Sequence, residues 1–159
     1  MEELKLPKTT DKEEIYKCLT AQIKSLVENE KNMIANMANV AAALHQTFNF
    51  FWVGFYLCDN ENELVLGPFQ GPIACTRIKY GRGVCGTAWK ERSSVIVPDV
   101  EKFEGHIACS SHSKSEIVVP VFKNNEIIAV LDIDSEKLNT FDTIDQKALE
   151  KIVELLIGN

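Results

Sequence analysis

The residues best suited to chemistry fall in the middle of the chain. Cys75, Cys85 and Cys109 stand among small or polar neighbours: Ala74-Cys75-Thr76, Val84-Cys85-Gly86 and Ala108-Cys109-Ser110. Three readings fit such thiols. They can be small buried hydrophobes, metal ligands, or a redox set. In a redox set one exposed thiolate attacks an electrophile, becomes a sulfenic acid and condenses with a second thiol to a disulfide. His106, Cys109 and His112 invite the metal reading, but the sequence has no Cys-x2-Cys pair and its cysteine gaps match no common zinc spacing. The other two cysteines, Cys18 and Cys58, lie in apolar patterns and read as small hydrophobes.

Acids form a second cluster. Asp132 and Asp134 alternate with Leu131 and Ile133 at a strand end, so period two puts both carboxylates on one face. Glu116 opens the preceding strand. A hairpin register set by the Lys123-Asn124-Asn125 turn brings Glu116 toward the Asp132–Asp134 end. Such a group is either a solvated strand end or a site that binds a cation or holds a protonated carboxyl against an oxygen. Trp52 and Tyr56, four apart on one strand, share a face. They are core, or a pocket wall offering aromatic contact to a methyl or sulfur group.

The elements that must position these groups can be read in order. From Asp11 onward, Ile15, Cys18, Leu19, Ile23, Leu26 and Val27 recur at helical spacing, with Thr10 or Asp11 as N-cap. A second helix spans about Asn32 to His45, with Ile34, Met37, Ala38, Val40, Ala41 and Leu44 inward. Phe51 to Leu57 and Glu63 to Gln70 read as a hairpin across the Asp59-Asn60-Glu61-Asn62 turn. Ile73 to Ile78 is a short extended piece. Gly81 to Arg92 is a glycine-punctuated loop opening a short helix around Cys85, Ala88 and Trp89. Ser94 to Val97 is a strand. Asp99 to Ser115 is a polar loop, longer than compact domains usually keep without a functional reason. Glu116 to Phe122 and Glu126 to Ile133 form a second hairpin, and a last helix begins near Phe141 with Asp142 as its cap.

This order predicts an α+β fold: a mainly antiparallel sheet with the N- and C-terminal helices on one face and a loop-covered ligand pocket on the other. The 159 residues read as a single domain, 1–159, with 1–10 as a flexible N-terminal extension. Hydrophobic content of 45% and charged content of 25% exclude a disordered or collagenous chain. Seventeen Lys+Arg against 23 Asp+Glu leave a net charge of −6, which argues against a nucleic-acid partner. The charged N-terminus has no apolar signal region, and the apolar stretch Phe48 to Cys58 is about half a membrane span. A cytoplasmic protein without membrane attachment is expected. Its five cysteines would start as thiols there.

Six segments carry a resemblance. Trp52-Val53-Gly54-Phe55-Tyr56, Gly67-Pro68-Phe69-Gln70-Gly71, Gly81-Arg82-Gly83-Val84-Cys85-Gly86, His106-Ile107-Ala108-Cys109, Ser115-Glu116-Ile117-Val118-Val119-Pro120 and Leu131-Asp132-Ile133-Asp134-Ser135 make the chain similar to the GAF-domain free methionine-(R)-sulfoxide reductases. The likeness runs from the first helix to the last, and generic GAF domains lack the three cysteines. It implies a GAF-like domain that reduces free methionine (R)-sulfoxide, with no bound cofactor and no metal. It implies Cys109 as the attacking thiolate, Cys75 as the thiol that resolves the sulfenic acid, and Cys85 as an additional thiol in resolution or disulfide transfer. Thioredoxin would reset the disulfide. Glu116, Asp132 and Asp134 would hold the sulfoxide oxygen and the ammonium group, and Trp52 and Tyr56 would wall the substrate methyl. Members of the family typically form homodimers. Two other classes remain open: a non-enzymatic GAF domain that binds a small ligand or senses redox state, and a zinc-binding structural domain.

Overall fold

The two-residue alternation of the strands sorts their side chains onto the two faces of one sheet. The computed structural model describes residues 3–60, 62–107 and 110–158. Helices α1 (Lys12–Val27) and α2 (Met33–Phe48) lead into strands β1 (Trp52–Cys58), β2 (Glu63–Gln70) and β3 (Arg77–Lys79). Helix α3 (Gly83–Glu91), strand β4 (Val95–Val97) and a 3-10 turn (Val100–Lys102) follow. Strands β5 (Ser115–Lys123) and β6 (Glu126–Ser135) and helix α4 (Thr143–Leu155) complete the order. The strands lie β3-β2-β1-β6-β5-β4, and every neighbouring pair is antiparallel.

One sheet face carries Val53, Phe55, Ile117, Val119, Leu131 and Ile133, packed against α1, α2 and α4. The opposite face carries Trp52, Tyr56, Val118 and Val130, with α3 and the long loops over it. The α+β arrangement expected from the sequence is present, with one refinement: α3 packs on the loop face. Val100 anchors the Asp99–Ser115 segment there, 3% exposed, in a 3-10 turn capped by the Asp99 side chain. Among the described residues, no helix is long and apolar enough to cross a membrane.

The helix stripes differ in part from those expected. In α1 the buried residues are Tyr16, Leu19, Ile23 and Val27. Ile15 and Cys18 are half-buried and Leu26 is exposed, as is Ile34 in α2. Tyr16 takes the inward position because its hydroxyl finds a buried acceptor, donating to Asp145 Oδ1 at 2.9 Å. The caps follow the sequence signals: Asp11 accepts the Glu13 and Glu14 N–H groups, and Asp142 and Asp145 form a capping box. The segment before α1 is tied to it. Lys5 N–H donates to Gln22 Oε1 at 2.8 Å, and Leu4 and Leu6 pack against the helix-side core.

One irregularity sets the site. Asn124 and Asn125 both have positive φ, 51° and 65°, the signature of a two-residue type I′ turn. That turn pairs Lys123 with Glu126 and Phe122 with Ile127. Continued unchanged, it would set Glu116 opposite Ile133 and turn it to the apolar face. A bulge intervenes: Val121 pairs with Ala129, so Ile128 is the extra residue. Every later pair shifts by one, and Glu116 lies opposite Asp134, as Val118 lies opposite Asp132.

Asp145 ties α4 to α1. Its side chain is 1% exposed and accepts from Tyr16 Oη, Lys12 Nζ and the Asp142 N–H. Asp145→Ala should cost about 2–4 kcal/mol in urea unfolding, because it strands a buried hydroxyl and removes the cap together. Asp145→Asn keeps an acceptor and should cost less.

Candidate active site

The loop-side face of β1, β5 and β6 opens into a cavity. Its walls include Trp52, Tyr56, Ala74, Arg82, Cys85, His106, Ile107, Ser110, Ser113, Glu116, Asp132 and Asp134. Trp52 pairs with Asp134 and Gly54 with Asp132 across β1 and β6. The aromatic side chains and the acids therefore project from neighbouring strands onto one face.

Gly54 makes room for the aromatic wall. A Cβ built there would lie 2.3 Å from Trp52 Cη2 and 2.5 Å from Phe69 Cβ. The indole thus lies over a position that only glycine leaves open. It stacks on Phe69 and Tyr56, with ring centroids 5.4 and 5.9 Å away, and its Nε1 donates to Pro72 O at 3.1 Å. The Tyr56 hydroxyl donates to Cys75 O at 3.0 Å. This contact fastens the Cys75 loop to the sheet.

The three acids meet as the sequence suggested. Glu116 and Asp132 are 6% and 7% exposed. Burial pushes the Glu116 carboxyl well above its ordinary range, and the facing Asp134 pushes it further. Asp132 is likewise raised, by burial first and then by Glu116 and Asp134. Asp134 is raised by burial to about 6, held down by a hydrogen bond from the Ser113 hydroxyl and by His106. Asp134 is thus the acid most ready to carry charge, while Glu116 and Asp132 are held further above their ordinary range. Among the described residues, Asp132 Oδ1 is buried without a hydrogen-bond partner, although the carboxyl is hydrogen-bonded to the Cys85 and Glu116 side chains. A donor brought to that atom would relieve its burial. His106 Nε2 lies 3.6 Å from Glu116 Oε2, and burial lowers its pKa, favouring neutral imidazole.

The thiols divide by environment. Cys85 sits in the first turn of α3, the short helix expected around it, and is 3% exposed. Burial and the Asp132 carboxylate push its thiol well up, so as placed it is a poor nucleophile. Cys75 is half-buried and disulfide-bonded. Cys109 lies outside the described residues; Ile107 and Ser110, on either side of it in sequence, line the cavity. Cys18 and Cys58 are free and half-buried, and burial raises Cys58 to about 11. His106 faces the cavity, whereas His112 is exposed beside Glu136.

Sequence reasoning passed over the supporting groups. It weighed His106 only as a metal ligand and did not single out Ser113 or the role of Gly54. His106 and Ser113 lie in an aperiodic loop that carries no positional signal. Gly54 did carry one, a glycine inside an aromatic strand, which often marks close approach of another group.

An antiparallel sheet with helices behind it and a loop-walled small-molecule pocket in front defines a GAF-type domain. The family model described as "GAF domain" matches residues 29–156. The GAF domain-containing protein A of Dictyostelium discoideum is 65% identical over 98% of both chains. The free methionine-R-sulfoxide reductase of Escherichia coli is 44% identical, covering 92% of this chain and 88% of its own. The X-ray structure of free methionine-R-sulfoxide reductase from Neisseria meningitidis in complex with its substrate superposes with a TM-score of 0.95. It is 50% identical and covers 98% of this chain and 93% of its own. The chain belongs to the GAF-domain family, in the group that holds the free methionine-R-sulfoxide reductases.

The raised acids make the folded state less stable as pH rises. Between the unfolded carboxylate value of about 4 and the folded Asp134 value of about 6, the folded state binds more protons. This contribution is fully present below about pH 4 and is lost as pH rises through the folded value. Compared with Asp134→Asn, the ligand-free wild type should therefore lose about 5 °C or more in Tm between roughly pH 4 and pH 8. Thermal melts of the two proteins at both pH values measure the difference.

Proposed function

We propose that this protein reduces free L-methionine (R)-sulfoxide to methionine, with Cys109 as nucleophile and Cys75 as resolving thiol. The observation that carries the reading is the pairing of an unpartnered buried carboxylate oxygen, Asp132 Oδ1, with a stacked aromatic wall in one cavity. A free amino acid brings both complements, an ammonium group for the acids and an apolar methylthio end for Trp52 and Tyr56. A methionine sulfoxide inside a peptide has no ammonium to offer. The substrate complex of the relative from Neisseria meningitidis supports the same substrate class.

In the proposed reaction the Cys109 thiolate attacks the sulfoxide sulfur. The oxygen moves from the methionine sulfur to the cysteine sulfur. Methionine is reduced by two electrons and the thiolate is oxidised by two, to a sulfenic acid. As the sulfur–oxygen bond breaks, negative charge gathers on oxygen, and a carboxyl that donates a proton there lowers the barrier. Glu116 suits this role: it is buried, holds its proton well above the usual range, and faces the charged Asp134. Asp132 and Asp134 then take the ammonium. Cys75 condenses with the sulfenic acid, releasing water and leaving a disulfide, which a thioredoxin dithiol reduces. The disulfide at Cys75 and the cavity positions of Ile107 and Ser110 support this pairing. Cys85 is too buried to lead and serves in later disulfide transfer. A homodimer in the cytoplasm, without a bound cofactor, completes the proposal.

A thioredoxin-coupled assay tests it. Free methionine (R)-sulfoxide should turn over, while the S epimer and N-acetylmethionine sulfoxide should be very poor substrates. Cys109→Ser should abolish turnover, because a serine alkoxide does not form near neutral pH. Cys75→Ser should still release about one methionine per subunit in a single turnover, yet fail with thioredoxin. Full activity in Cys109→Ser, or equal use of the N-acetylated substrate, contradicts the reading.

The acids make a second, quantitative expectation. Glu116→Gln, Asp132→Asn and Asp134→Asn should each lower kcat/KM by roughly tenfold or more, the scale of one lost charged hydrogen bond. Glu116→Gln should act mainly on kcat and the aspartate variants mainly on KM. Steady-state kinetics on folded variants separates the two.

A further inference from the structure

We propose that the same pocket binds a thiophilic divalent cation of the zinc type, held by Cys85, Glu116 and Asp132. The cysteine sulfur and one oxygen from each carboxylate all lie within 4.8 Å of one another, and all three residues are buried. Asp132 lines the cavity, and among the described residues its buried Oδ1 has no hydrogen-bond partner. Around a tetrahedral zinc ion, ligand atoms stand roughly 3.4–3.8 Å apart, given bonds of about 2.0–2.3 Å. The side chains therefore need to close by about 1 Å, well within rotamer adjustment. Their backbones come from α3, β5 and β6, which pack against one another.

The donor set selects the ion. Calcium takes about six to eight oxygens and magnesium keeps an octahedral shell of oxygens and waters, neither of which three donors including a thiolate can satisfy. A sulfur donor beside two carboxylates suits zinc or cadmium. His106 Nε2, 3.6 Å from Glu116 Oε2, is placed to approach as a fourth donor; water can fill that position otherwise. Binding replaces the protons of the thiol and the carboxyls, so it releases protons. No electron transfer is involved. The ion engages Asp132, assigned above to the substrate ammonium, and Glu116, assigned to the sulfoxide oxygen, so zinc and sulfoxide should exclude each other; that last step rests on the proposed function.

The test uses the protein with its Cys75 disulfide intact, which keeps that sulfur from competing. Titration with Cd2+ should saturate at one equivalent, produce the ultraviolet thiolate-to-cadmium absorption and release protons into a weakly buffered solution. Zn2+ should displace the cadmium. Cys85→Ser should abolish the absorption, and Asp132→Asn should weaken binding by at least about tenfold. A Cys18→Ser, Cys58→Ser double variant should bind as the wild type does. If Cys85→Ser does not fold, 113Cd NMR of the unsubstituted protein decides: one resonance in the range of a single sulfur with oxygen donors is expected. No saturable binding, absorption that survives Cys85→Ser, or a resonance lacking a sulfur donor overturns the site. Cadmium binding as described in a protein that reduces no sulfoxide would overturn the proposed function and leave the metal site standing.

Discussion

Three carboxyl groups share one buried patch of sheet, and like charges so close cannot all ionise unless a cation joins them. Much of the loop-side structure serves to hold that arrangement. The Ile128 bulge turns Glu116 to the face of Asp132 and Asp134. The Ser113 hydroxyl and His106 bear on Asp134 and Glu116 from the long loop. Helix α3 closes the floor with Cys85. The result is a pocket whose carboxyls are held above their ordinary range and whose Asp132 Oδ1 has no partner among the described residues. A cationic ligand relieves both, which makes charge a criterion of entry and ties binding to pH.

The two sheet faces divide the labour. The helix face is mainly apolar and closed by α1, α2 and α4, with Asp145 joining α1 to α4 through Tyr16 and Lys12. Burial there supplies the folding free energy. It allows the opposite face to carry a destabilising acid group, as functional sites commonly do. Because alternate residues of the same strands serve both faces, neither can slip by one residue without ruining the other. The site geometry is therefore as firm as the core.

Environment also separates thiols that look alike in sequence. Cys85 is enclosed beside Asp132, which suppresses the thiolate and leaves the sulfur as a potential ligand when a metal displaces its proton. Cys58 is raised by burial alone. Cys75 follows the cavity-lining Ala74 on a loop pinned through the Tyr56 hydroxyl, and its sulfur is in a disulfide. Reactivity thus follows depth and neighbours, neither of which a spacing of cysteines encodes.

The amino-acid sequence by itself determined the element order, the α+β class, the helix caps and the shared face of Trp52 with Tyr56. These depend on periodicity and on residues near one another in the chain, where local sterics and capping chemistry act. It also placed Asp132 and Asp134 together, for the same reason. It misjudged parts of the helix stripes, since Tyr16 is inward only because Asp145, at the other end of the chain, accepts its hydroxyl proton. The short helix around Cys85 was legible, but its burial was not, because nothing local announces that α3 packs its first turn against β5 and β6. The partnership of Glu116 with Asp134 hung on a one-residue bulge, and the turn residues alone would have set the glutamate on the wrong face. Only tertiary structure decided those points, because register, burial and the meeting of Cys85, Glu116, Asp132 and His106 arise from contacts between distant segments.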